Sequence, residues 1–381
     1  MTKNPRPLVL IAAAMIGSLQ AAPPVMDAVD ARVQTFIDSK EIAGAVTLVA
    51  DGEKILHLSA TGLADVGSNK PMATDSIFWI ASMTKPITAT AVMMMQDEGK
   101  LSVDDPVSKY LPEFTGDKAG ITIKQCLNHT SGLSEASGEE TTDVTTLKDL
   151  MPLFTAKPLV FAPGSKWQYC QTGINTAARV VEVVSGKAFP EFLEERLFGP
   201  LGMTDTSFYP DDARIARIAN AYKRTDEGKL EKSAITFLGG KSVADKNRYP
   251  RANGGLFSTA GDYAKFAQMI LNGGESGGKR FLKAETVKQM TSIQTGDLAS
   301  GFVPGSAWGL GWSIVRKPQG VTAALSPGSF GHGGLFGTQA WIDPVKKRIY
   351  LLLVQRANFT NQGGADGSDL RREFQNAAAQ P

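Results

Sequence analysis

A chain of 381 residues, 42% hydrophobic and 20% charged, has the make-up of a soluble globular enzyme and room for one large domain or two medium ones. Its 40 basic and 38 acidic residues leave a net charge of +2, which argues against nucleic acid or a strongly anionic surface as the main partner. The two cysteines, Cys126 and Cys170, have neither the histidine neighbours nor the CxxC spacing of a metal site, and two buried free thiols are expected.

In chain order, Lys3 and Arg6 precede the apolar run 8–19 and then Gln-Ala-Ala-Pro-Pro. That is the layout of a secretory signal peptide, too short for a comfortable membrane span. Residues 1–22 are therefore set aside and export to the periplasm or medium is expected, with no stable membrane span in the mature chain. The alternative is a short membrane-tethering N-terminus, since Leu19 is large for a cut after Ala21. Residues 27–40 have helical spacing through Val29, Val33, Phe36 and Ile37. Two β-rich runs flank Asp51-Gly52, a hairpin signal. The stretch IASMTKPITATAVMMMQDEGK (80–100) predicts a buried helix over 82–98, stopped at Gly99. Shorter helical segments follow at 121–130 and LKDLMPLF, then a turn FAPGSKW, a long helix ended by Gly186, and an amphipathic helix over 262–274. Residues 308–315, 339–344 and 348–356 read as strands, and 369–379 as a closing helix.

Strands at both ends and helices between them predict an α/β chain of the α+β type. An antiparallel sheet built from both termini (23–81 and 250–381) is flanked by helices, and a mostly helical domain (82–249) is inserted.

Ser82 and Lys85, three apart on the predicted helix, share one of its faces. A serine at a helix start feels unpaired N–H groups and the positive dipole end, which stabilise an alkoxide or oxyanion. A neighbouring lysine helps in either form: charged, it steadies the anion, and neutral, it takes a proton. The same spacing at Ser276 and Lys279 lies in a glycine-rich loop with no helix behind it. Further along, Tyr169 is a candidate base if a cation lowers its proton affinity, and Gln171, two residues on in an extended stretch, brings an amide to the same side. His332, Gly333 and Gly334 stand just before a strand, where glycines let a backbone N–H approach a ligand. Each residue singly also has a purely structural reading: an N-cap serine, a solvated lysine, a core tyrosine, a bracing amide, a tight strand entry. His57 and His129 are read as packing residues.

These three stations in this order resemble the serine β-lactamase and penicillin-binding-protein superfamily, whose first signature is S-x-x-K. The resemblance runs from about residue 27 to 356 and includes ITIKQCLNHTSGL, FAPGSKWQY, GPLGM, ANGGLFSTAGDYAKF and WGLGW. All are similar to segments of the class C-like branch, which holds family VIII carboxylesterases and D-amino-acid peptidases as well as lactamases. The resemblance implies a β-lactamase/transpeptidase-like fold, Ser82 as acylated nucleophile and Lys85 as its helix-borne partner. It also implies Tyr169 as the base, its proton affinity lowered by Lys85, and Ser82 N–H and Leu335 N–H as the oxyanion hole. Two positions depart from the pattern: Gln171 replaces an asparagine, and His332 replaces a lysine. A histidine carries only part of a positive charge near neutrality, so binding of a substrate carboxylate should weaken. The expected function is a serine hydrolase cleaving small acyl esters. A β-lactamase or D-Ala/D-amino-acid peptidase is the alternative within the fold, and a non-catalytic β-lactam or peptidoglycan sensor the alternative of another class. No phosphate-binding loop appears and the three histidines are not placed to share a metal, so no cofactor is expected, and the partner is a small ester or amide.

Overall fold

The computed structural model of the chain describes Met1 and residues 26–235, 238–359 and 364–380. The segment read as a signal peptide lies, Met1 aside, outside the described residues. The centre is an eight-stranded antiparallel sheet. Its strands are β1 (Gly44–Ala50), β2 (Ile55–Asp65), β3 (Lys70–Pro71), β4 (Ser306–Trp308), β5 (Ser313–Val315), β6 (Phe330–Gly333), β7 (Gln339–Asp343) and β8 (Arg348–Leu353). In space they run β4-β5-β6-β7-β8-β1-β2-β3, so β1 from the start of the chain pairs with β8 from its end, Val46 opposite Leu353. The β1–β2 turn is held by Asp51, whose Oδ1 accepts the N–H groups of Glu53 and Lys54 at 2.9 and 2.8 Å. An aspartate side chain that closes its own turn in this way fixes the hairpin locally.

Both faces of the central strands are covered, and the two-residue period sorts side chains between two apolar clusters. From β1 and β8, Val46, Leu48, Ile349, Leu351 and Leu353 enter the larger cluster, while Ala45, Val49, Tyr350 and Leu352 enter the other. The second layer consists of the terminal helices, α1 (Asp27–Asp38) through Val29 and Val33, and the closing helix Asp369–Ala378 through Leu370 and Phe374. The larger cluster also receives the helices of the middle of the chain: α2 (Thr84–Asp97), α3 (Ile123–Leu127), α4 (Leu147–Ala156), α5 (Gln171–Ser185) and α6 (Ala260–Leu271). The fold is thus mixed α/β with a large antiparallel sheet flanked by helices. Among the described residues no helix is long and apolar enough to cross a membrane.

Three local expectations change. The run 308–315 is two strands, β4 and β5, because Gly309-Leu310-Gly311 turns between them. Gly311 has φ +76°, and a Cβ there would lie 2.6 Å from Ala89 Cβ and 3.0 Å from the Lys85 carbonyl oxygen, so the turn sits directly on α2. His332 and Gly333 do not precede a strand but form the end of β6. Gln171 does not continue an extended stretch; it is the first residue of α5, which ends at Gly186 in the left-handed region as its spacing predicts.

Candidate active site

Ser82 lies not in α2 itself but in the single 3-10 turn Ala81–Met83 that leads into it. Ala81 has φ +47°, a left-handed conformation that costs a residue with a side chain about 1 kcal/mol or more. Thr84 holds it by donating its hydroxyl to the Ala81 carbonyl at 2.7 Å. This turn lifts Ser82 to the edge of the buried helix, partly exposed, one turn before the fully buried Lys85.

Lys85 Nζ lies 3.1 Å from Ser82 Oγ, 2.8 Å from Gln171 Oε1 and 2.6 Å from the Asn253 carbonyl oxygen. An ammonium has three donors, and all are used. A neutral amine would keep its two N–H groups on the two carbonyl oxygens and turn its lone pair to the Ser82 hydroxyl. Burial favours that form: it pulls Lys85 from its ordinary 10.5 down to about 7, against the opposing charge of Glu135. Gln171 Oε1 also accepts the Asn253 amide at 2.8 Å, so two donors fix the orientation of the glutamine amide. Glu135 in turn caps α5, its carboxylate accepting the N–H groups of Gln171 and Thr172 and the Thr172 hydroxyl.

Tyr169 reaches this cluster from the segment before α5. Its ring lies under Lys85 Nζ, 4.5 Å from the centroid, and packs on the ring of His129 at 4.5 Å and of Phe302 at 4.7 Å. His129 pins the segment, its Nδ1 accepting the Cys170 N–H at 3.1 Å. Burial pushes the Tyr169 phenol well above its ordinary value, and the nearby Ser82 hydroxyl opposes this only in part. Lys85 Nζ lies over the ring and makes its hydrogen bonds to Ser82 Oγ and two carbonyl oxygens, none of them to the Tyr169 hydroxyl. In the free protein Tyr169 is a phenol, and Lys85 is the group brought near neutrality.

His332 also differs from expectation. Its Nδ1 faces the Gly333 carbonyl at 2.7 Å and therefore carries the hydrogen, which leaves Nε2 as an acceptor 3.5 Å from the Tyr169 hydroxyl. Burial, reinforced by the Lys85 charge, pulls it down to about 3, so the ring is neutral rather than partly charged.

Ser82, Tyr169, Gln171, His332, Gly333, Gly334 and Leu335 all border one cleft of about 310 Å³, and Lys85 lies beneath it. Trp79, Phe302 and Asp366 complete its wall. The turn carrying Leu335 is drawn toward the serine side, with Gly334 N–H donating to Thr338 O at 2.7 Å. A Cβ on Gly334 would stand 2.0 Å from Thr338 Oγ1 and 2.7 Å from the Ile80 carbonyl oxygen, so only glycine fits. Sequence reading missed Asn253, Glu135, Phe302 and Asp366. Asn253 stands in ANGGLF, a segment noted for its resemblance but given no role, and Glu135 lies in a polar stretch with no periodicity to mark it. The cysteines are both buried free thiols, and Cys170 is pushed up to about 12 by burial, so neither is a nucleophile.

The Beta-lactamase family model matches residues 29–373. Esterase EstB of Burkholderia gladioli is 30% identical over 86% of this chain and 90% of its own length. A putative D-alanyl-D-alanine carboxypeptidase of Escherichia coli K12 is 29% identical over 80% and 76%. The solved structure of EstCE1, a hydrolase with promiscuous acyltransferase activity, superposes with a TM-score of 0.80 at 26% identity, covering 93% of this chain and 98% of the other. With the family matched across nearly the whole chain and a serine, a buried lysine and a tyrosine converging on one cleft, the chain belongs to the Beta-lactamase family and is a serine hydrolase of the β-lactamase and penicillin-binding-protein fold.

Proposed function

We propose that the chain is an exported carboxylesterase that cleaves small acyl esters through an acyl-enzyme on Ser82. The observation that carries the choice is the state of His332. The ring is buried and neutral where a lactamase of this superfamily has a lysine, so the cleft lacks a cation there to bind the carboxylate of a penicillin or a D-Ala-terminal peptide. The similarity to Esterase EstB of Burkholderia gladioli supports the same reading.

In the mechanism we infer, the substrate carbonyl lies between Ser82 Oγ and the N–H groups of Ser82 and Leu335, which take up the developing oxyanion. Neutral Lys85, 3.1 Å from Ser82 Oγ, accepts the serine proton as Oγ attacks the carbonyl carbon. Tyr169, a phenol beside the same oxygen, gives its proton to the alcohol oxygen as the acyl C–O bond breaks and recovers one from the Lys85 ammonium, so the alcohol leaves neutral and the pair is reset. Water then enters in place of the alcohol and attacks the acyl carbon, giving a proton to Lys85, and the pair returns that proton to Ser82 Oγ as the acyl–Oγ bond breaks and the acid is released. The Gln171 amide nitrogen, left over once its oxygen is fixed, faces the substrate.

The test sets short-chain 4-nitrophenyl esters beside a chromogenic cephalosporin, with intact mass after a fluorophosphonate probe as a measure of Ser82 reactivity. Ester turnover with slow or absent cephalosporin turnover is expected. Fast cephalosporin turnover without ester turnover would replace the reading with a lactamase, and a protein that the probe leaves unlabelled would be a binder.

A further inference from the structure

Asp366 is the only carboxylate among the described residues that wall the Ser82 cleft, and no lysine or arginine stands in that wall. Lys85 lies underneath, its nitrogen taken up by Ser82, Gln171 and Asn253. The nearest arginine, Arg371, is held away from the cleft. Its guanidinium donates to the carbonyl oxygens of Gly334, Gly337 and Thr338 at 2.7, 3.2 and 2.5 Å, and to Asp366 Oδ1 at 2.5 Å. The Arg371 side chain is 2% exposed, whereas that of Asp366 is 36% exposed. Asp366 Oδ2 accepts no hydrogen bond from any described residue. The pair is therefore polarised: the cation points into protein, and the anion points into the space where a substrate sits. The anion also bears on the reacting groups, since its charge is among the influences that keep Tyr169 a phenol.

We infer that Asp366 selects substrates by charge, turning away those with a carboxylate near the scissile bond and favouring neutral or cationic ones. The substrate class thus narrows, on the esterase reading above, to esters with an uncharged or ammonium-bearing group at that end. The physical reason is that a second carboxylate brought beside Asp366 in a half-closed cleft meets repulsion that bulk water cannot fully screen. Arg371 offers little compensation, because it is buried and four of its five N–H donors are taken up by Asp366 and three carbonyl oxygens.

The experiment measures kcat/KM for matched 4-nitrophenyl ester series whose far end is methyl, carboxylate or trimethylammonium, one series varied on the acyl side and one on the alcohol side. The wild-type protein is expected to prefer methyl over carboxylate by about tenfold or more. In Asp366→Asn the ratio of carboxylate to methyl should rise by about tenfold, because the anion is gone and the Arg371 charge is no longer masked, while the advantage of trimethylammonium disappears. Asp366→Glu keeps the charge and should keep the wild-type order. A carboxylate-to-methyl ratio within about twofold of wild type in Asp366→Asn, in both series, overturns the inference. Should that variant fail to fold, the wild-type ratio itself decides: it must shrink between about 20 mM and about 500 mM salt, and a constant ratio overturns the inference equally. If wild type turns over no ester, the esterase reading falls alone. Acylation by a cephalosporin free acid against its methyl ester, followed by intact mass in wild type and Asp366→Asn, then decides the role of Asp366.

Discussion

Replacing Glu135 by glutamine should move the pH dependence of the enzyme toward acid. The Glu135 carboxylate lies on the N-terminus of α5, bonded to Gln171 and Thr172, and its charge is the foremost influence opposing the burial of Lys85. With that carboxylate in place Lys85 is held at about 7. A glutamine keeps an oxygen for the cap but removes the charge, so the ammonium form loses an attraction. Loss of a neighbouring unit charge at an effective dielectric of about 20, partly screened by solvent, is worth roughly 1.4 kcal/mol, or one pH unit. The assay is kcat/KM for a 4-nitrophenyl ester from about pH 5 to about pH 9, read as the titration of the free protein's essential base. The wild-type acid limb should have its midpoint near 7, where Lys85 loses its proton, and the Glu135→Gln limb should lie about one unit lower. Helix capping by a neutral group should also lower stability by about 1 kcal/mol in denaturant unfolding. A limb that stays in place or moves to higher pH would refute the assignment of Lys85 as the base whose charge Glu135 supports.

The same group makes a prediction about stability. The folded form holds Lys85 at about 7, whereas the unfolded chain leaves it near its ordinary 10.5, so between these values the unfolded state binds more protons and stability rises with pH. Lys85→Met should abolish that rise in denaturant titrations across the window, along with ester turnover; a slope that persists in the variant would assign it to another group. Gly334→Ala forces the turn away from Thr338 and Ile80, and should lower kcat by about a hundredfold with a smaller change in KM, since the displaced donor acts on the oxyanion. An unchanged kcat in a folded Gly334→Ala protein would remove Leu335 N–H from the oxyanion hole. His332→Lys restores a cation beside Tyr169 and should raise turnover of a cephalosporin relative to an ester, and no rise would show that charge at this position is not what limits lactams.

Much of the fold could be read from local signals because local forces make them. Asp51 closes the first hairpin through its own side chain, and Gly186 ends α5 by entering the left-handed region. The reading failed where a distant segment decides a local shape. Gly311 turns because the Lys85 carbonyl and Ala89 lie against it, and Gln171 starts a helix because Glu135, 36 positions earlier, supplies the cap. Proton affinities are illegible in the sequence for the same reason. Sequence places a cation and a phenol in one site, but only packing reveals that Lys85 lies over the ring of Tyr169 and that both are stripped of water.

By itself the sequence determined which groups are present and in what order: a serine and lysine one turn apart, a tyrosine ahead of a long helix, then a histidine and two glycines. The tertiary structure alone decided their chemical state, and which unmarked residues join them. Asn253 reaches Lys85 and Gln171, and Asp366 reaches the cleft, from short turns with no periodic pattern, and burial, a property of the whole packed chain, sets which of Lys85, Tyr169 and His332 holds a proton.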